Sequence, residues 1–236
     1  MRTRPLAFVA ALVALAASLA GCSDDSPRAA TDTATHAAST RTADGPPCTF
    51  EKDGSPTARP VDLPPDRATV SGEVPATVAT SAGDITMTLD AEAAPCTVTS
   101  FASLADQGYF DDTPCHRLTT QGNLLLQCGD PTGTGTGSPG YSFADELSGR
   151  ETYGAGTVAM ANTGLPGSNG SQFFLVYGDS TLPPAYTVFG RLDAAGLEVV
   201  RAIAEKGTAD GAPDGAPKAR VAISSVTVES ARPRSR

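Results

Sequence analysis

The hydrophobic positions of this chain fall into distinct regimes. An unbroken apolar run covers Leu6 to Ala20, residues 23–47 show no hydrophobic period, and from Thr77 onward short periodic segments follow one another. Thr77-Val78-Ala79-Thr80 and Ile85-Thr86-Met87-Thr88-Leu89 alternate with period two around Ala82-Gly83-Asp84, which predicts a β-hairpin. Pro95 opens a helical pattern with Val98, Phe101, Ala102, Leu104 and Ala105 on one face, and Gly108 ends it. Leu118 and Leu124-Leu125-Leu126 flank a turn at Gln121-Gly122-Asn123, a second hairpin. Thr157-Val158-Ala159-Met160-Ala161 and Thr187-Val188-Phe189-Gly190 read as strands. Leu192 to Ile203 reads as a second helix with Leu197, Val200 and Ile203 inward. Val221-Ala222-Ile223 and Val226-Thr227-Val228 close the chain as strand. Asn169-Gly170 is a turn dipeptide, since both residues tolerate positive φ, and it feeds the buried-strand run Phe173-Phe174-Leu175-Val176. Gln172, beside two aromatics, needs partners for its amide. Many short strands with two helices predict a mainly β fold, a barrel capped by helices.

The first regime is an export signal. Arg2 and Arg4 precede the apolar run, which is short for a membrane span. It ends in Leu19-Ala20-Gly21-Cys22, which resembles the lipobox of bacterial lipoproteins. The resemblance implies a signal peptide over 1–21, acyl chains on Cys22, and a protein held at the extracytoplasmic face of the cell membrane. Loss of residues 1–21 takes the formal net charge from −9 to −11, because Arg2 and Arg4 go and no acid does. So acidic a surface argues against nucleic acid as a partner. Residues 22–75, rich in Ala, Thr and Pro, read as a disordered tether in which His36 has no site role. Its proline-rich part from Pro46 is expected to lie extended against the domain, pinned by Cys48. The domain itself is expected over 76–230, with a short basic tail at 231–236.

Export also frames the cysteines. With Cys22 acylated, Cys48, Cys96, Cys115 and Cys128 remain, an even number in an oxidising place. Three pairings are open; Cys115 with Cys128 is the first choice because the two flank the second hairpin. A metal site finds no support: no CxxC pair exists and the only histidines are His36 and His116. The missing CxxC also argues against a redox enzyme. The Gly/Thr-rich stretch from Gly133 to Gly140 lacks the following Lys and helix of a phosphate loop and carries a Pro.

Five motifs carry a family resemblance. Tyr109-Phe110-Asp111, Cys115-His116-Arg117-Leu118, Leu126-Gln127-Cys128-Gly129-Asp130, Met160-Ala161-Asn162 and Asn169-Gly170-Ser171-Gln172-Phe173-Phe174 resemble, in order and spacing, the cyclophilins, peptidyl-prolyl cis–trans isomerases. The resemblance implies an eight-stranded antiparallel barrel capped by two helices, a groove on its outer face, proline-containing exported polypeptides as substrates, a monomer and no cofactor. An amide resists rotation by about 18–20 kcal/mol because nitrogen shares its lone pair with the carbonyl. In the twisted transition state that sharing is lost and the prolyl nitrogen becomes an acceptor. A guanidinium aimed at it stabilises the twisted state over either planar one.

By this resemblance Arg117 is the donor and Gln127 its brace. Phe174, Leu125 and Leu182 form the pocket for the proline ring. Ala161 and the main chain of Asn162 bind substrate backbone, and Gln172 lines the groove. Phe173 points to the opposite face by strand alternation, into the core. His116 matches a residue facing away from the groove. Three positions depart from the family. Leu124 stands where a pocket Phe is usual, Tyr186 where a groove His is usual, and Thr181 where a Trp is usual. The chain has no Trp, so weak cyclosporin binding is expected. The competing reading is a proline-peptide-binding chaperone or adhesion module with little turnover.

Overall fold

The structure, a computed structural model, describes residues 45–229. The expected signal peptide, Cys22, His36 and the basic tail 231–236 lie outside the described residues. In chain order the elements are β1 (Phe50–Lys52), β2 (Glu73–Thr80), β3 (Gly83–Asp90), α1 (Pro95–Asp106), β4 (Thr113–Pro114), β5 (Arg117–Thr119), β6 (Leu125–Cys128), β7 (Tyr141–Phe143), β8 (Thr157–Met160), β9 (Phe173–Val176), β10 (Val188–Leu192), α2 (Ala194–Ala204), β11 (Asp214–Gly215) and β12 (Ala222–Val228).

The expected first hairpin is present and longer than its periodic core. β2 and β3 pair without interruption from Glu73↔Asp90 to Thr80↔Gly83. Val74, Ala76 and Val78 on β2, and Ile85, Met87 and Leu89 on β3, are all buried. The C-terminal apolar runs, separate in the sequence, form one strand, with a register shift between Ile223 and Ser225.

One antiparallel sheet runs in the order β11-β5-β6-β9-β8-β10-β3-β2-β12-β4. Its two ends meet in one stretch of chain. β4 pairs with β12, and β5, three residues on, pairs with β6. Between them Cys115 N donates to Val221 O at 3.0 Å and His116 N donates to Gln127 O at 3.0 Å. Residues 113–119 thus pass from the β4 edge to β5, one strand in from the β11 edge, curling the sheet into a barrel. With β4 and β5 taken as one path, β2, β3, β6, β8, β9, β10 and β12 complete the eight expected strands. The sequence pattern missed β1, β4, β7 and β11, which are three residues or fewer each.

The interior is filled by Phe101, Phe110, Phe173 and Phe189, whose ring centroids lie 5.2–5.8 Å apart in the contacts they make. α1 begins with Pro95 but has no local side-chain cap. Glu146, fifty residues on, supplies it: its carboxylate accepts from the N–H of Cys96 (3.0 Å) and Thr97 (2.8 Å). α2 starts at Ala194 rather than Leu192, because Leu192 pairs with Met87 in β10 and Asp193 caps the helix through Gly196 N at 2.7 Å. A Cβ on Gly196 would lie 2.2 Å from Thr86 O, so glycine there permits the helix to touch the sheet.

The tether boundary is corrected. Of the expected tether, residues 45–75 lie on the barrel, and residues 22–44 fall outside the described residues. Phe50 packs edge-on against Tyr141 and Phe143, at 5.7 and 5.5 Å. Arg59 Nη1 donates to Gly108 O (2.7 Å) and Asp111 O (2.8 Å) beyond the end of α1. A disulfide joins Cys48 to Cys96, and a second joins Cys115 to Cys128, the pair that flanks the second hairpin. Two aromatic contacts, one guanidinium and one cross-link hold this strap, and none of them makes a hydrophobic period.

Two outcomes follow from this architecture. The Cys48–Cys96 link closes 48 residues, so replacing both by serine should lower unfolding free energy by about 4 kcal/mol on the chain-entropy account. Thermal unfolding, with limited proteolysis of residues 45–72, checks this. His116 supplies a pH dependence. Both its ring nitrogens are buried and have no hydrogen-bond partner among the described residues. Burial holds its pKa below the ordinary value; Asp130 opposes this and Arg117 adds to it. The unfolded chain therefore binds the proton first, and stability should fall as pH drops below about 6.5. His116→Gln should flatten the melting midpoint between pH 7 and pH 5.

Candidate active site

Strand alternation on β9 sorts two adjacent phenylalanines. Phe173 and Leu175 point into the barrel with Leu126, Val158 and Met160. Phe174 and Val176 point outward, where they pack with Leu125, Tyr153 and Ala159. This second apolar cluster lies on the outer face and has Ala161, Leu182, Tyr186 and Val188 at its margin. Tyr186 stands edge-on to Phe174, with centroids 5.5 Å apart and planes at 85°. The cluster floors a groove of about 460 Å³ lined by Leu125, Phe174, Leu182, Tyr186, Ala161 and Asn162 and by the polar side chains of Arg117 and Gln127.

Arg117 and Gln127 are direct register partners on β5 and β6, and Gln127 is in turn the partner of Phe174 on β9. Cationic and apolar walls are therefore placed by consecutive strands. The Cys115–Cys128 disulfide ties the segment leading into β5 to the end of β6, beside the pair.

The polar side chains form a line. Arg117 Nη1 donates to Gln127 Oε1 at 3.2 Å. Gln127 Nε2 donates to Gln172 Oε1 at 2.9 Å. Gln172 Nε2 donates to the carbonyls of Gly135 and Gly137, each at 3.0 Å. A guanidinium only donates and a carbonyl only accepts, so the two ends fix which way both amides point. This answers the need of the Gln172 amide for partners. The loop at the far end is wrapped around Asp130. Burial raises the Asp130 pKa, yet the Thr132 hydroxyl and the N–H groups of Gly137, Thr132 and Gly135 outweigh it and hold the carboxyl below its usual range. A Cβ at Gly137 would sit 1.8 Å from Asp130 Oδ1, so the wrap requires glycine.

Beyond Arg117 the line ends in a residue the sequence reading missed. Asp214 accepts from Arg117 Nε at 2.8 Å and Nη2 at 2.6 Å, a two-point ion pair between half-exposed side chains. Arg117 holds the Asp214 carboxyl below the usual carboxylate range, and Asp214 pushes the Arg117 pKa up. Ninety-seven residues separate the two, and Pro213-Asp214-Gly215 reads locally as a turn and nothing more.

The other expected site residues divide as follows. Asn162 spends its side chain on loop backbone: Nδ2 donates to Ala185 O, in the segment before β10, and Oδ1 accepts from Gly164 N. What it can present to the groove is main chain. Leu124 is corrected, because it precedes β6 and its side chain runs against Gly178 rather than lining the groove; Leu125 supplies that wall. Thr181 is exposed and does not line the groove. The Asn169-Gly170 turn is also corrected. Neither residue has positive φ, and Asn169 is fully buried, donating through Nδ2 to Asp145 Oδ1 at 2.8 Å and bridging to β7.

Residues 76–228 match the family described as cyclophilin type peptidyl-prolyl cis-trans isomerase/CLD. A probable peptidyl-prolyl cis-trans isomerase B of Mycobacterium tuberculosis is 52% identical over 146 residues, covering 56% of this chain and 47% of that protein. The Mycobacterium leprae protein of the same description is 47% identical over 201 residues, covering 77% of this chain and 66% of that one. The chain thus spans about half to two thirds of the length of these relatives. Among solved structures, a Cryptosporidium parvum cyclophilin type peptidyl-prolyl cis-trans isomerase superposes with a TM-score of 0.58 at 29% identity, over 68% of this chain and 99% of that one. The same protein solved in the presence of the dipeptide Ala-Pro gives 0.57 at 29%, over 66% of this chain and 99% of that one. With 153 of its residues matched and its barrel shared, this chain belongs to the cyclophilin-type peptidyl-prolyl cis–trans isomerase family.

Proposed function

We propose that this protein catalyses rotation about X-Pro peptide bonds in exported polypeptides, with Arg117 as the hydrogen-bond donor to the prolyl nitrogen. The observation that carries the reading is the pairing of one braced guanidinium with an apolar slot. Arg117, bonded to Gln127, stands across from Phe174, Leu125 and Leu182 in a single groove. A proline ring in the slot buries apolar area. The main chain beside Ala161 and Asn162 holds the flanking peptide. A planar prolyl nitrogen has no lone pair to offer, and a twisted one does. The guanidinium therefore binds the transition state in preference to either ground state, which is what acceleration requires. No bond to the protein forms and no proton need move. The relatives described as isomerase B, and the neighbour solved with Ala-Pro, support the same reading.

Lipid anchoring through Cys22 belongs to this proposal. It would place the groove at the outer face of the membrane, where newly exported chains pass while their X-Pro bonds equilibrate over tens to hundreds of seconds. Weak cyclosporin binding goes with it, since Thr181 offers no indole.

Isomerisation of an Ala-Pro peptide, followed by NMR exchange, tests the chemistry. Wild type should accelerate it. Arg117→Ala should lower kcat/KM about 100-fold, the scale of losing one preorganised donor, with an unchanged melting midpoint. An unaffected rate would remove Arg117 from the mechanism. Binding of proline peptides with no acceleration by wild type would instead favour a chaperone or adhesion module. Anchoring is tested by fractionating cells: wild type should sediment with membranes and Cys22→Ser should not. A wild-type chain recovered wholly in the soluble fraction would rule the anchor out.

A further inference from the structure

We propose that Asp214 is a positioning residue for Arg117, fixing the plane of the guanidinium so that its uncommitted N–H groups are presented to the groove. This rests on the reading of Arg117 as the donor to the prolyl nitrogen.

The donor inventory makes the case. A guanidinium carries five N–H groups in one plane. Asp214 takes two, through Nε and Nη2, and Gln127 takes one, through Nη1. Two remain, one on each terminal nitrogen. Among the described residues lining this groove, Asp214 is the only carboxylate and Arg117 the only cation. A long side chain that is 45% exposed would otherwise sample many rotamers. Gln127 alone is one contact at 3.2 Å and leaves rotation about that contact free. A two-point carboxylate fork removes it, because both bonds must lie in the guanidinium plane.

The loop that delivers Asp214 is built to hold still. Asp214 pairs with Thr119 in the β11–β5 ladder, beside the strand that carries Arg117. Thr120 N and Oγ1 both donate to Pro213 O, at 2.8 and 3.3 Å. Ala209 N donates to Ala216 O at 2.8 Å and Lys218 N to Gly207 O at 2.9 Å across the loop. Thr208, 4% exposed, donates through its hydroxyl to Ala212 O at 2.5 Å. The backbone that carries the carboxylate is thus held by hydrogen bonds along the loop and by pairing with β5.

The carboxylate has two opposed effects on the guanidinium. It draws off part of the positive charge, which weakens donation to a neutral nitrogen. It also removes rotational freedom that would have to be lost at the transition state. If the second effect dominates, removing Asp214 slows turnover. If the first does, Asp214 is a brake, and removing it speeds turnover.

The experiment is steady-state isomerisation of an Ala-Pro peptide by the full chain and by Asp214→Ala, Asp214→Glu, Arg117→Ala and the Arg117→Ala/Asp214→Ala double variant, each with its melting midpoint measured. Asp214→Ala should lower kcat about tenfold, equivalent to 1.36 kcal/mol, while KM stays within about twofold. Asp214→Glu should recover part of the loss, since it restores a carboxylate. The double variant should be no slower than Arg117→Ala alone, because Asp214 acts only through Arg117. Asp214→Ala turning over at or above the wild-type rate, with Arg117→Ala inactive, overturns this proposal and leaves the donor reading standing. Arg117→Ala at the wild-type rate overturns both. A rise in KM without a fall in kcat, or an equal further loss in the double variant, makes Asp214 a binding or structural residue and overturns the positioning role.

Discussion

Everything at the groove depends on the register between β5 and β6. Arg117 faces Gln127 across that ladder, and Gln127 faces Phe174 across the next. The side-chain period of a strand is two, so a slip by one residue would turn Arg117 into the barrel and Leu118, now fully buried, out to water. Burying an unpaired cation among Phe101, Phe110 and Phe173 costs far more than the slip could return. The hydrophobic core therefore enforces the position of the cation without touching it. The stretch that carries Arg117 is also the one that closes the barrel. Hydrogen bonds on both sides of residues 113–119 hold its phase.

From that register a single polar line extends in both directions. On one side it runs through Gln127 and Gln172 to the carbonyls of Gly135 and Gly137, and so to the loop wrapped on Asp130. On the other it ends at Asp214. A carboxylate stands at each end, and the atoms that accept from Gln172 leave it one orientation. Such a line has few alternative arrangements, and a site that stabilises one twisted geometry needs that property. The Gly/Thr-rich loop, unsuited to phosphate, serves instead as the wall on which Gln172 rests.

The strap from Gly45 adds to the barrel without entering its sheet. β1 pairs with β7, and Cys48 and Arg59 hold either end of α1. It lies upstream of the family-matched residues 76–228. Its attachment is by the β1–β7 ladder, a cross-link, the Arg59 guanidinium and two ring contacts, none of them between sequence neighbours. That is how a proline-rich segment with few apolar residues can be ordered.

Sequence alone determined the periodic elements. The two hairpins, the two helices and the five ordered motifs were legible because each is a local pattern of period 2 or 3.6, or a short run of types; the family resemblance put Phe174 on the groove face, and strand alternation then turned Phe173 inward. The Cys115–Cys128 pair was legible because it spans one hairpin. What lies far apart in the chain was not. Glu146 capping α1, Asp214 holding Arg117, Arg59 closing the end of α1 and Asn169 bridging to β7 each join segments 26 to 97 residues apart. Their sequences read as turns or surface charge. The same distance misled where the sequence did speak: Asn169-Gly170 has the composition of a tight turn, but Asn169 is buried, bonded to Asp145 and bridged to Phe143, and Leu124, one residue before β6, falls by alternation on the inward side of Leu126 rather than on the groove side of Leu125. Periodicity records which face of an element meets apolar matter. Which polar group meets which is set only when barrel closure brings the elements together.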